Sequence, residues 1–450
     1  MENKLSLGID IGTTTLSMTV VDVENKCQLK AYTYANDSNL TATKEGFKEQ
    51  NPEWILAKVE EFLDDVMKEF PNIQSIGFTG QMHGMLYVDE NGNAVSPLVT
   101  WQDGRGNFKQ ENGMTFCEEI EKISGRKIST GFGYATHYYN TKHELVPENA
   151  ATFCTIMDYL VMKITGNTKP LIHASNAASL GLFSVEKSSF YSESISQLGI
   201  DNVQIPKVTK EIVSYGIYQG IPVFVAIGDN QASLFGTVQN DTDILVNYGT
   251  GSQISVITDQ PEGTEEMEVR PFVGDKFLLS GSAICGGRAY AMLERFFKRY
   301  LKYCNFDVKD QYEVMNQMAE EAYKKKNAMK VSTTFCGTRI DPKKKGNISE
   351  IDEANFTPEA LTLGVLQGMV DELYDMYLGK GINKEITSVI ASGNAVRKNP
   401  VLQKLLEDKF QVTLKMPAIK EEAAFGAALC AAVYGELGEI EEIRKCIKYI

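Results

Sequence analysis

The sequence predicts an α/β protein built as two related domains around one active-site cleft. Three observations carry that prediction. A turn of glycine and hydroxyl residues occurs twice, about half a chain apart, as Asp10-Ile11-Gly12-Thr13-Thr14-Thr15 and Asn247-Tyr248-Gly249-Thr250-Gly251-Ser252. Each copy joins two apolar, strand-like runs, and each half then passes into helical periodicity. The length of 450 residues also exceeds one domain, which typically takes roughly 100 to 200.

Leu5, Leu7, Ile9 and Ile11 alternate, and Leu16 to Val23 is a second β-rich run, so the first turn closes a hairpin. Helical spacing over 52–70 (Trp54, Ile55, Val59, Phe62, Leu63, Val66) precedes a strand at 73–78 and a further hairpin turn at Asp89-Glu90-Asn91-Gly92. Helices follow near 116–124 and 155–164, then a buried strand at 221–227. The second half restarts with strands at 243–247, 252–258 and 276–279 and long helices at 287–302, 311–326 and 358–378. A strand at 386–391, a helix at 400–410 and a small-residue helix after Glu421 complete it. The domain boundary is placed near residue 238, giving domains 1–238 and 239–450.

A net charge of −14 argues against a nucleic-acid backbone or an anionic membrane as partner. The longest small-and-apolar run, Ala423 to Tyr434, is too short to span a bilayer. Eight cysteines are scattered without a CxxC pair, which speaks against a zinc site or a disulfide framework. No signal peptide is read at the N-terminus, so a cytoplasmic protein is expected. The lysine runs at 324–326 and 343–345 read as solvated charge. Oligomeric state is left at monomer or homodimer.

Four constellations could carry chemistry. In the two turns, glycine lets the backbone approach a phosphate, successive N–H groups form an anion-binding concavity, and the threonine and serine hydroxyls add donors. Asp10 could hold a hydrated Mg²⁺ that bridges phosphate oxygens. Singly, each turn could equally be an ordinary hairpin. Neither is a Walker A loop or a dinucleotide fingerprint, and the duplicated nucleotide fold they suggest is the one shared by sugar kinases, actin and Hsp70-type chaperones. In Ile227-Gly228-Asp229-Asn230-Gln231, Asp229 could accept a proton from a substrate hydroxyl attacking the γ-phosphorus, or it could simply cap a helix beginning at Asn230. Gly80-Gln81-Met82-His83-Gly84 and Thr100-Trp101-Gln102-Asp103-Gly104-Arg105 supply a polyol site. Gln81, His83, Asp103 and Arg105 donate and accept, Trp101 forms an aromatic wall, and His137 is a further candidate. Lastly, Gly393 in Ala391-Ser392-Gly393-Asn394 would let an adenine ring lie against the backbone, and the helix after Glu421 suits close packing on that strand.

Taken in order over nearly the whole chain, these pieces resemble the FGGY carbohydrate kinase family. They are the Asp10 turn, Gly80-Gln-Met-His-Gly, Trp101-Gln-Asp-Gly-Arg, Gly228-Asp-Asn-Gln, the Asn247 turn, Ser392-Gly-Asn-Ala and Glu422-Ala-Ala-Phe-Gly-Ala-Ala. The resemblance implies two ribonuclease-H-like domains, ATP and Mg²⁺, and a sugar as the phosphoryl acceptor. It makes Asp229 the catalytic base and, with Asp10, a metal-side carboxylate. It puts Gly12, Thr13, Thr14, Thr15 and Gly249, Thr250, Gly251, Ser252 on the phosphates, and Gly393 with Asn394 at the adenosine. Gln81, Met82, His83, Trp101, Asp103, Arg105, His137 and Asn230 fall on the sugar side. Within the family the motif pair is most similar to the sedoheptulokinase subgroup, with xylulokinases next. One departure stands out: His173-Ala174-Ser175-Asn176 replaces the Thr-Asp that many members carry before Ser-Asn-Ala. The alternatives are another pentulose or polyol kinase, or an actin-like or chaperone-like ATPase with a protein partner, which would have no use for a polyol pocket.

Overall fold

The computed structural model describes residues 4–379 and 385–450. The chain divides into two compact units, Met1–Gln239 with Arg270–Lys276 and Ile419–Lys448, and Asn240–Val269 with Phe277–Ala418 and Tyr449–Ile450. Each unit is built on a six-stranded sheet flanked by helices.

In the first unit the strand order is Ser214–Tyr218, Ile221–Phe224, Ile73–Gly80, Leu5–Ile11, Thr15–Asp22, Cys27–Ala35. The last three form an antiparallel meander, while Leu5–Ile11 runs parallel to Ile73–Gly80, which sets Asp10 between Ser17 and Thr79. Side chains on a strand alternate between faces. Leu5, Leu7, Ile9 and Ile11 therefore enter a core with Ile55, Val59 and Leu63 of the helix Pro52–Glu69. That helix starts where the sequence marks it, because the Asn51 side chain accepts from the Glu53 and Trp54 amides and proline opens its first turn.

The opposite face presents Ser6, Gly8 and Asp10, and the helix Glu422–Tyr434 lies against it. A Cβ on Gly8 would stand 1.8 Å from the Ala424 carbonyl oxygen, and one on Gly77 would stand 2.2 Å from that of Ala427. Ser6 Oγ donates to the Ala428 carbonyl at 2.7 Å. The same helix meets the helix Asp229–Thr237, where a Cβ on Gly426 would lie 1.8 Å from the Ala232 carbonyl oxygen. Asp10 and the start of the Asp229 helix are thus brought to one face of one sheet by a single small-residue helix.

This packing corrects one expectation. The helix after Glu421 does not belong with the strand near residue 390, since its alanines and glycine fit the glycine-lined strands Leu5–Ile11 and Ile73–Gly80. Residues 270–276 and 419–448, from beyond the expected boundary near residue 238, pack with the first unit.

The second unit repeats the topology with Met267–Pro271, Phe277–Ala283, Ser252–Thr258, Ile244–Tyr248, Ser388–Ser392 and Thr413–Lys415 in order. An antiparallel meander is again continued by parallel strands. Its core joins Val246, Ile254 and Val389 to Leu363, Leu366, Val370 and Leu373 of the helix Pro358–Leu378. Among the described residues no helix is long and apolar enough to cross a membrane.

Candidate active site

The first unit gathers a chain of polar side chains around its turn. Thr13 Oγ1 donates to Gln81 Oε1 at 3.2 Å, Gln81 Nε2 donates to Gln50 Oε1 at 2.8 Å, and Gln50 Nε2 returns to the Thr13 carbonyl at 2.8 Å. Trp101 Nε1 donates to Thr13 Oγ1 at 2.9 Å while the side chain remains 47% exposed, so its indole is anchored at one edge and leaves a ring surface open. Asn36 Nδ2 ties the Gly12 carbonyl at 2.8 Å. Gly12 is required by close approach, since a Cβ there would stand 2.8 Å from the Thr15 carbonyl oxygen. The exposed Thr14 and half-buried Thr15 complete the turn.

Met82 connects this cluster to the Asp229 segment. A Cβ on Gly228 would lie 2.7 Å from Met82 Sδ, and Asn230 Nδ2 approaches the same sulfur at 3.8 Å. His83 adopts a left-handed backbone (φ 73°), a conformation that non-glycine residues keep only when neighbours hold them. Here Ser179 does so, accepting from the His83 amide at 3.1 Å and meeting Nδ1 through its carbonyl at 2.8 Å, with Phe132 stacked at 4.3 Å.

Asp229 opens its helix at the first helical position, with Gly228 as the cap residue and no side-chain cap bond. The capping alternative therefore does not describe it. One carboxylate oxygen, Oδ1, is enclosed and has no hydrogen-bond partner. Burial pushes the Asp229 carboxyl up to about 6, against the lowering effects of the Asn230 amide and the Arg270 charge. Asp10 is pushed up to about 7, first by burial and then by the charges of Asp229 and Glu421. Both groups keep a partial opening to solvent while standing deep among protein atoms. Crowded carboxylates with an unsatisfied oxygen form an environment that a cation would relieve. No cluster of three or more His, Cys, Asp or Glu among the described residues could hold a metal alone. Mg²⁺, however, usually takes one or two carboxylates and completes its shell with water and substrate phosphate oxygens, and Asp10 with Asp229 fits that demand.

The Gly228 position is fixed from behind by residues that sequence reasoning noted only as a departure. Gly228 N–H donates to Ser175 Oγ at 3.0 Å, Ser175 Oγ meets His173 Nδ1 at 2.8 Å, and His173 Nε2 reaches the Lys210 carbonyl at 3.0 Å. Asn176 Nδ2 ties the Ala226 carbonyl at 3.1 Å. Burial drives His173 down to about 4, so it is neutral at pH 7.

Three expected sugar contacts are placed elsewhere. Arg105 is 3% exposed and Asp103 fully buried. The guanidinium donates to Asp103 Oδ1, Asn140 Oδ1 and Glu49 Oε1, each at 2.8 Å, and stacks on Phe47 at 4.1 Å. The Lys48 amide donates to Asp103 Oδ2 at 2.8 Å. This pair is turned inward and holds the Trp101 loop from below. His137 sits on the almost wholly buried helix Gly133–Lys142, with Nδ1 on the Tyr87 hydroxyl at 2.8 Å and Nε2 on the Ile200 carbonyl at 3.1 Å. Its ring completes an aromatic core with Tyr87 and Phe153 and presents no edge to a ligand.

In the second unit the turn Gly249–Ser252 lines two cavities. One, of about 440 Å³, lies among Asn247, Gly249, Thr250, Gly251, Ser252 and Arg339. Ser252 Oγ is buried with no partner. The other, of about 1130 Å³, runs from Gly249 and Thr250 to Gly393 and Asn394, walled by Tyr290, Tyr312, Asn316 and Arg288. Gly393 (φ 96°) could not be replaced without strain, since a Cβ would stand 2.4 Å from the Tyr248 carbonyl oxygen. The helix Gly286–Tyr303 is locked to the turn by Gly287 N–H on the Gly249 carbonyl at 3.0 Å and Arg288 N–H on the Thr250 carbonyl at 2.9 Å. Sequence reasoning missed Arg288, Arg339 and the tyrosines; the Gly286-Gly287-Arg288 opening of a helix was the available signal.

Residues 5–236 match the N-terminal domain, and residues 244–434 the C-terminal domain, of the FGGY family of carbohydrate kinases. The chain is 25% identical to the sedoheptulokinase of Mus musculus, with 94% of this chain and 96% of that protein aligned. It is also 25% identical to the xylulose kinase of Staphylococcus xylosus, over 95% and 90% respectively. The crystal structure of xylulose kinase from Rhodospirillum rubrum shares the fold with a TM-score of 0.83 at 17% identity, covering 99% of this chain and 93% of that one. With both domain models matched in order, over two α/β units of one topology, the chain belongs to the FGGY family of carbohydrate kinases and is a phosphotransferase.

Proposed function

We propose that this kinase transfers the γ-phosphate of ATP to a primary hydroxyl of a ketose, with sedoheptulose the preferred acceptor and sedoheptulose 7-phosphate the product. The observation that carries the reading is the Asp229 carboxylate. It has one enclosed, unpartnered oxygen, its neighbours Gly228 and Asn230 stand against Met82 of the Gln81–His83 loop, and its charge acts on Asp10. A base so placed accepts the proton of the attacking hydroxyl as the oxygen–phosphorus bond forms. Gln81, His83 and Asn230 bind the polyol hydroxyls, Met82 and the open face of Trp101 pack on its C–H surfaces, and Asp103 with Arg105 keeps that loop in place. Thr13 to Thr15 and Gly249 to Ser252 donate to the phosphates, and Gly393 with Asn394 lies against the adenosine. Mg²⁺, held on the Asp10 and Asp229 side, would neutralise phosphate charge when bound. In this reading residues 1–238 carry the sugar site, the base and the first turn, and residues 239–450 carry the nucleotide site, as a cytoplasmic monomer or homodimer. A pentulose such as xylulose is the second reading, favoured by the equal identity to the Staphylococcus xylosus enzyme.

The test is ATP consumption, coupled to ADP detection, with sedoheptulose, xylulose, ribulose, fuculose, rhamnulose, glycerol and no sugar. Selective turnover of sedoheptulose is expected. A pentulose preference keeps the mechanism and replaces the substrate. Equal hydrolysis in every well overturns the acceptor reading and favours a partner-driven ATPase.

A further inference from the structure

Immediately behind the second turn, two thiols face each other. Cys285 is buried and is the residue from which the helix Gly286–Tyr303 departs, directly before the amides that bind Gly249 and Thr250. Cys336 is half-buried, in the tight turn between Thr334 and Gly337 that continues to Arg339 of the smaller cavity. The two sulfurs are 3.6 Å apart, near van der Waals contact. A disulfide needs about 2.05 Å between sulfurs, so side-chain rotation and a small shift of the Thr334–Gly337 turn bring them to bonding distance. Arg288 Nη1 stands 3.8 Å from Cys336 Sγ, and the same arginine lines the larger cavity. The pair is electronically unequal. The Arg288 bond lowers the Cys336 thiol from its ordinary value, whereas burial pushes Cys285 up to about 12. An accessible sulfur beside a guanidinium, with a protonated thiol at its back, is the arrangement of an attacking and a resolving cysteine.

The geometry points to a reversible dithiol switch, in which peroxide oxidises Cys336 and Cys285 to a disulfide that deforms the nucleotide cradle. The Cys336 thiolate attacks one peroxide oxygen. A sulfur–oxygen bond forms, the oxygen–oxygen bond breaks, and hydroxide leaves to become water. Cys285 then loses its proton as its sulfur attacks the sulfenic sulfur, and the sulfur–oxygen bond breaks with release of a second water. Two thiols are oxidised by two electrons and one peroxide is reduced to two waters. Closing the pair draws the turn that carries Arg339 toward the start of the Gly286 helix, and shifts Arg288 and the amides that hold Gly249 and Thr250. This consequence rests on the proposed nucleotide role of Gly249–Ser252; the cross-link itself does not.

The test uses the full chain, fully reduced and then exposed to stoichiometric hydrogen peroxide, with free thiols blocked before peptide mass analysis. A non-hydrolysable ATP analogue is titrated in parallel. A peptide pair joining Cys285 to Cys336 is expected, with analogue affinity weakened about tenfold and recovered with dithiothreitol. Cys336→Ser and Cys285→Ser should bind the analogue as the reduced protein does and keep that affinity through peroxide treatment. Absence of the cross-linked peptide, or a cross-linked protein that binds the analogue unchanged, overturns the switch. A reduced protein that binds no analogue overturns the nucleotide reading instead, and mass analysis still decides whether the disulfide forms.

Discussion

His137 makes a quantitative prediction, because its burial converts directly into a pH dependence. The imidazole is fully enclosed and both ring nitrogens are engaged. Desolvation drives it from 6.5 to about 4, only partly resisted by the Ile200 carbonyl and Asn202. Below pH 6.5 the unfolded chain takes up a proton that the folded protein refuses until about pH 4. Its contribution to stability is therefore complete above 6.5 and lost as pH falls through that window. The full loss is about 3 kcal/mol, and about 2 kcal/mol of it is already gone at pH 5. The assay is urea unfolding followed by tryptophan fluorescence at pH 8 and pH 5. Both tryptophans, Trp54 and Trp101, lie in the first unit, as does His137, so the signal reports that unit alone. His137→Gln preserves an acceptor for the Tyr87 hydroxyl and a donor for the Ile200 carbonyl but does not titrate. The loss of stability between pH 8 and pH 5 should be about 2 kcal/mol smaller in the variant than in the parent, with His173 and the buried carboxylates cancelling in the comparison. An identical pH dependence in the two proteins would refute the buried, neutral His137.

Asp229→Asn should lower kcat by about 10²- to 10⁴-fold with nucleotide affinity retained in a calorimetric titration; near-normal turnover would remove it as the base. Gly426→Ala places a Cβ 1.8 Å from the Ala232 carbonyl oxygen and should cost about 1–3 kcal/mol, read as a lower urea midpoint, with reduced kcat because the Asp229 helix moves. Arg105→Lys keeps the charge but loses the planar fork to Asp103, Asn140 and Glu49. It should cost about 2 kcal/mol or more and raise KM for the sugar, while KM for ATP stays unchanged.

Much of the fold was legible because its signals are local. The alternation through Leu5, Leu7, Ile9 and Ile11 marks a strand wherever it is placed, and the Asn51-Pro52 and Asn399-Pro400 pairs mark helix starts by capping chemistry alone. The helix Gly133–Lys142 escaped because it is buried on nearly every side and so carries no amphipathic period. The partner of the helix Glu422–Tyr434 escaped for a different reason. Small residues announce close packing but not against what, and the matching glycines, Gly8 and Gly77, lie hundreds of positions away. The site divides in the same manner. Turn glycines and Asp229 are readable from spacing, whereas whether Asp103, Arg105 and His137 face inward or outward depends on Glu49, Asn140 and Tyr87, which join them only in three dimensions.

The helix Glu422–Tyr434 also imposes an order on biosynthesis. Roughly 180 residues separate Gln239 from Ile419, and at about 5–20 residues per second the ribosome takes about 9 to 36 s to traverse them. Throughout that interval the nascent first sheet has one face, around Ser6, Gly8 and Gly77, without its covering helix. Such a half-built layer is a natural client for holding chaperones. Emergence of residues 419–448, rather than of residues 1–239, then becomes the step that commits the N-terminal half to its native state.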